Sequence, residues 1–172
     1  MTDGGSGDYT ISNNAVISGN TLLLFTGSGN YTVPAGVTRI GRNAFAYSQI
    51  KELTIPASVT EIGEGAFANS TLNKVTILGN ISTIPEYAFY KTQLTSVALP
   101  TGVTYVGDYA FAETPLSSFS FAPANKAEFG NSVFENCKEL AQIALDSNIT
   151  KMGSKTFAGC VTLQTATLPA LE

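Results

Sequence analysis

The chain reads as a strand-rich α/β solenoid, a stack of near-identical short coils. Three observations carry that reading. A phenylalanine recurs at Phe45, Phe67, Phe89, Phe111, Phe134 and Phe157, with spacings of 22, 22, 22, 23 and 23 residues. A nearly constant period in the twenties marks an array whose units bury their apolar faces only against their neighbours. Each phenylalanine is also followed by an alternating apolar segment of strand type, and preceded by a column that holds only glycine or proline.

Taken in chain order, the opening MTDGGSG has neither a basic region nor an apolar core. Residues 1–7 are therefore expected to be a disordered tail and not a signal peptide. Residues 8–36 predict an N-terminal β cap and a half-repeat. DYTISNNAVISGNTLLLF carries short apolar runs split by Asn, Gly and Ser, as two or three strands closing the end of the stack would. Tyr31, Val33 and Pro34 stand in register with Leu53, Ile55 and Pro56. Residues 37–170 hold the six full units. Leu171 and Glu172 read as vector-derived, and with no second cap in the sequence the chain is expected to be a piece of a longer protein. End-to-end self-association through that uncapped end is a further expectation.

Within a unit, the site five residues before the anchor is large and apolar: Ile40, Ile62, Ile84, Val106, Phe129 and Met152. Next stand Gly41, Gly63, Pro85, Gly107, Gly130 and Gly153. Gly and Pro are both turn residues, for different backbone reasons, so a turn is expected there. The residue before the anchor is compact (Ala44, Ala66, Ala88, Ala110, Val133, Thr156), as close stacking of coils demands. The short AF segment predicts a helical or 3-10 piece. IKELTIP, LNKVTIL, LTSVALP, LSSFSFA, LAQIALD and LQTATLP then predict strands with one face inward.

Composition excludes several classes. Of the 172 residues 44% are apolar and 13% charged, too hydrophobic for a disordered chain and too poor in charge for a long solvated helix. Net charge is −4 and the nine basic residues are scattered, so no nucleic-acid footprint is expected. No apolar run approaches the ~18 to 20 residues that span a bilayer, so no membrane insertion by this chain is expected. Histidine is absent, which removes Ser-His-Asp and Cys-His relays and imidazole-ligated zinc. No phosphate-binding glycine loop occurs. Glu64, Glu86 and Asp108 share a column, read as a solvated polar edge because a hard cation needs several convergent oxygens. No catalytic residue, cofactor or metal is expected, and no enzyme.

Cys137 and Cys160 share a column one coil apart, near enough for a bridge. The same column holds Ser48, Ser70, Thr92 and Thr114. A site that accepts Ser and Thr calls for a small group that bonds nearby backbone, not for a thiol pair.

With these columns in place the chain resembles the BspA-like, or Treponema pallidum-type, leucine-rich repeats, whose pattern is I-G-x-x-A-F-x-x-C-x-x-L-x-x-I-x-[IL]-P. CKELAQIAL (137 to 145) and CVTLQTATLP (160 to 169) match it closely, and the first four units are one residue shorter between anchor and leucine. The resemblance spans roughly residues 31 to 169. It implies a right-handed leucine-rich-repeat solenoid with parallel strands on the concave side, in an extracellular or cell-surface protein. It further implies adhesion to proteins or glycans of host or neighbouring cells. The contrasting expectation is a structural stalk with no ligand of its own.

Two sets of residues are candidates for ligand binding. Outward sites of the strand segments include Thr54, Lys74, Thr76, Ser96, Ser118, Ser120 and Gln142, a small, hydroxyl-rich, nearly uncharged face suited to weak multivalent contact. Tyr87 and Tyr109 share a column, and Tyr90 replaces the alanine of four sister units. They form either an aromatic patch of the kind favoured at interfaces or a cover over gaps between coils.

Overall fold

The computed structural model describes residues 8–169; the expectations for residues 1–7 and 171–172 fall outside the described residues. The chain starts with β1 (Tyr9–Ser12), β2 (Ala15–Ser18) and β3 (Thr21–Phe25), an antiparallel meander, followed by β4 (Ser28–Thr32). Six coils follow, named here by their phenylalanines from Phe45 to Phe157. The first carries β5 (Arg39–Ile40) and β6 (Gln49–Ile55), the second β7 (Glu61–Ile62) and β8 (Lys74–Ile77). The third carries β9 (Thr83–Ile84) and β10 (Ser96–Ala98), the fourth β11 (Tyr105–Val106) and β12 (Ser118–Ser120). The fifth carries β13 (Ala127–Phe129) and β14 (Gln142–Ala144), the sixth β15 (Ile149–Met152) and β16 (Thr165–Thr167).

Strands of successive coils pair in parallel and build two ladders. The second strands of each coil form the ladder expected from the alternating segments, with Tyr31 of β4 opposite Leu53 of β6 as the half-repeat register requires. The first strands form another ladder that the sequence reading lacks. β3 heads it, with Leu22 opposite Ile40, so the meander closes the stack by adding to this ladder. The inward residues Ile40, Ile62, Ile84, Val106 and Phe129 are buried and their exposed neighbours point out.

The segment around each phenylalanine is not the helical or 3-10 piece expected; the described residues contain no helix. Two residues per coil lie in the left-handed region, two before and two after the ring: Asn43 and Tyr47, Gly65 and Asn69, Tyr87 and Lys91, Tyr109 and Glu113, Ser132 and Asn136, Lys155 and Gly159. A left-handed residue at every fourth position forbids a helix. The amides confirm why. Asn43, Phe45 and Tyr47 donate to the carbonyls of Glu64, Ala66 and Ala68 in the next coil at 3.1, 2.7 and 3.0 Å, while Ala44, Ala46 and Ser48 close tight turns. The segment is thus a third line of bonds between coils.

The phenylalanines form one file. Centroids of Phe45, Phe67, Phe89, Phe111, Phe134 and Phe157 follow at 5.4, 4.9, 5.2, 5.9 and 5.6 Å, and Phe25 extends the file at 5.0 Å from Phe45. Rings from Phe45 to Phe134 are fully buried; Phe157 is partly buried and packs on Phe134. Beside them Ser48, Ser70, Thr92 and Thr114 each donate a hydroxyl to the carbonyl of their own coil's phenylalanine, at 2.7 to 2.9 Å.

Cys137 and Cys160 are free thiols in the same column that also bond backbone, but across coils, donating to the carbonyls of the preceding coils' Phe111 and Phe134 at 3.2 and 3.1 Å. Burial pushes the Cys137 thiol up from 9.0 to about 11, against the opposing bond to Thr114. The folded state therefore holds the proton more tightly than the unfolded chain. Stability from this site is complete below pH ~9 and is lost as pH rises to ~11, by roughly 2 to 3 kcal/mol. Cys137→Ser, a residue native to this column, is expected to flatten that part of the stability–pH curve measured by urea titration. An unchanged fall would show that other groups cause it.

Both ladders are interrupted. The first opens between β7 and β9, where Pro85 stands in the glycine column; the second opens between β8 and β10 and again between β12 and β14. Proline lacks the amide that Gly63 and Gly107 donate to Ile40 and Ile84 at 2.8 and 2.7 Å, so the coil at Phe89 cannot repeat that bond. The joint between the coils of Phe67 and Phe89 thus has neither ladder. It is held by the turn-side bonds Gly65 to Glu86, Phe67 to Ala88 and Asn69 to Tyr90, by Gln93 to Leu72, and by the ring stack.

Candidate binding surface

The strand-face candidates meet in pairs across the second ladder. Thr54 lies opposite Thr76, Ser96 opposite Ser118, Ala98 opposite Ser120 and Gln142 opposite Thr165. Lys74, Thr76, Ser96, Ser118, Ser120 and Gln142 are exposed and Thr54 is half-buried. Alternation explains the exposure: Leu53, Val97, Phe119 and Ile143 point inward between them. Lys74 is committed to Glu52 at 3.7 Å, which leaves the face hydroxyl-rich and close to neutral.

Where β12 and β14 part, the face opens into a groove of about 410 Å³ lined by Ser117, Ser118, Gln142, Ala144, Thr165 and Thr167. Equivalent residues are 22 apart from Ser96 to Ser118 and 23 apart from Gln142 to Thr165, but 24 apart from Ser118 to Gln142. The longer connection coincides with the opening, and no backbone bond joins the two strands among the described residues. The insertion is visible in the sequence; the opening of the ladder is not.

The tyrosine candidates lie on the turn segments, and no hydrogen bond, ion pair or ring contact joins them to the strand-face set among the described residues. Tyr87 and Tyr109 stack at 5.0 Å with 2° between their planes. Tyr90 meets Tyr87 edge-on at 5.4 Å and donates its hydroxyl to Glu113 at 2.7 Å. Lys91 pairs with Glu113 at 3.3 Å and lies 5.0 Å from the centre of the Tyr90 ring. That bond network draws Glu113 below the usual carboxylate range, Tyr90 being the main cause. Tyr90 is therefore anchored and serves to orient Tyr87.

The acids of this side differ in their company. Glu64 pairs with Arg42 at 3.0 Å, Glu61 with Arg39 at 2.8 Å, and Glu128 with Lys151 at 3.6 Å. Asp108 accepts from the amide and side chain of Asn131 at 2.8 and 3.0 Å. Glu86, in the same column, has no such partner among the described residues. The middle coils thus place two carboxylates without a cation beside the tyrosine stack. Burial first, then Tyr109, Glu86, Tyr90 and Asp108, hold the Tyr87 phenol above its ordinary value; burial, then Asp108, Glu86 and Glu128, do the same for Tyr105. The expected polar edge of Glu64, Glu86 and Asp108 is thus three acids in three settings.

Stacked parallel coils with an uncovered polar strand face define a repeat solenoid that displays side chains along its length. The chain belongs to the family of the BspA type leucine-rich repeat region, whose model matches residues 25–138 and 72–171 with six copies. Solved structures repeat the fold. The pneumococcal vaccine antigen PcpA is similar at 21% identity and a TM-score of 0.76, over 93% of this chain and 49% of that one. A leucine-rich cell surface protein from Faecalibacterium prausnitzii A2-165 is similar at 25% identity and a TM-score of 0.63, over 92% of this chain and 39% of that one. The T. pallidum leucine-rich repeat protein is similar at 20% and 0.59, over 98% and 71%. The chain spans half or less of the length of the first two. A comparison with curated proteins finds no match.

Proposed function

We propose that the chain is a non-catalytic binding module of a cell-surface or secreted protein, acting in adhesion to proteins or glycans of host or neighbouring cells. The observation that carries this reading is the strand face: outward hydroxyl and amide side chains stand uncovered on successive coils and border the groove at Ser118 and Gln142. Such a file offers many weak polar contacts to an extended ligand, and repetition multiplies them without any strong single anchor. The similarity to a protein described as a cell surface protein supports the location.

The test is capture of host-matrix proteins and mucin glycans on an array by the folded chain. Ser118→Arg with Gln142→Arg, which fills the groove while leaving the buried face intact, is expected to lower capture by about tenfold. Capture by neither form would instead mark the chain as a structural stalk.

A further inference from the structure

Tyr87 and Tyr109 both sit in the left-handed backbone region, at φ 55° and 56°. The fold does not require a ring there, since Gly65 and Asn43 fill the same place in neighbouring coils. A left-handed residue with a side chain costs roughly 1 to 2 kcal/mol, whereas a stacked aromatic pair contributes about 0.5 to 1.5 kcal/mol beyond its burial. Stacking alone does not offset two such residues. Ser132 and Lys155 take the same backbone in this column, so the strain belongs to the turn, and what sets the two middle coils apart is the paired rings.

What the rings offer is specific. Each covers one face of the other, and the flanking residues in the column, Gly65 and Ser132, are small. Among the described residues, Glu86 lies beside them with no cation, and Asp108 has only an amide partner. Four cations are paired with acids, Arg42 with Glu64, Arg39 with Glu61, Lys91 with Glu113 and Lys151 with Glu128, and Lys155 stands in the tyrosines' column two coils beyond Tyr109. Aromatic faces next to an unpaired carboxylate match a guanidinium, which is flat enough to stack on a ring and forked to meet a carboxylate with two bonds.

We infer that Tyr87, Tyr109 and Glu86 form a docking patch for arginine side chains on an extended basic segment of a partner protein. Tyr90, held by Glu113, keeps Tyr87 in place. The inference rests on the surface-binding reading above and adds the chemistry of one partner to it.

The test is fluorescence anisotropy with a labelled peptide carrying arginine at every third position, beside lysine and glutamine versions. The arginine peptide is expected to bind tightest and the glutamine peptide not measurably. Tyr87→Asn with Tyr109→Asn suits the left-handed backbone and keeps the fold; it is expected to weaken binding at least about tenfold, as is Glu86→Gln. Glu139→Gln changes net charge equally at a distance and is expected to change affinity less than about twofold. Equal weakening by Glu86→Gln and Glu139→Gln, or full binding by the tyrosine variant, overturns the inference. Array capture scored in parallel separates the two readings. Capture that survives while the peptide fails to bind leaves the adhesion reading standing and removes this patch; peptide binding without capture does the reverse.

Discussion

Phe89→Ala is expected to lower the unfolding free energy by about 3 to 5 kcal/mol, the range for a buried Phe truncation. The ring is fully buried between Phe67 and Phe111, at 4.9 and 5.2 Å. Its position makes the loss more than a cavity. In a repeat array, stability is the sum of unit terms and nearest-neighbour interface terms. The interface between the coils of Phe67 and Phe89 lacks both strand ladders, so the ring contact carries a larger share of it than elsewhere. The variant is therefore expected to unfold in two steps, the coils on either side of the joint separating at different urea concentrations. Circular dichroism and tyrosine fluorescence would record two midpoints in place of one. Phe157→Ala, truncating a ring that is only partly buried, is expected to cost less and to keep a single transition. A loss below about 1 kcal/mol at Phe89 would contradict the ring file as the source of cohesion.

The ring file, the register of Tyr31 with Leu53 and the use of the cysteine column were legible because each rests on side chains repeated at one period. Once Ser, Thr and Cys shared a site, a small group bonding backbone was the chemistry common to all three, and the thiols do that. The first ladder was hidden for a physical reason: strands of two residues, such as Arg39–Ile40, are too short to show an alternation. The turns around each phenylalanine were hidden because left-handed residues here include Tyr, Lys and Glu, which announce no such backbone. At the candidate sites the residue types were readable but not their company. Glu64, Glu86 and Asp108 look alike in the sequence, and only the reach of Arg42 and Asn131 singles out Glu86.

Gly107→Ala is the second large expectation, and it bears on why glycine fills its column. A turn was expected there, yet Gly107 and its equivalents Gly41, Gly63, Gly130 and Gly153 are not in the left-handed region. Close approach of coils is the reason. A Cβ on Gly107 would lie 2.6 Å from the Glu86 amide nitrogen and 2.8 Å from the Pro85 carbonyl carbon, both backbone atoms that cannot rotate away. The coil at Phe89 shows what relief looks like, for Pro85 brings a side chain into the column and the first ladder is open there. Alanine at 107 is expected to force the same opening between β9 and β11, ending the bond from the Gly107 amide to Ile84 at 2.7 Å. The penalty should reach the upper part of the ~1 to 3 kcal/mol typical of overpacking. Amide exchange at Val106 and Gly107 should accelerate. Gly36→Ala provides the contrast, since a Cβ there meets nothing within 4 Å, and its stability should stay level or rise by about 0.4 to 1 kcal/mol. Equal, small effects at both glycines would mean that coil spacing yields freely, and that the glycine column is not what holds the first ladder closed.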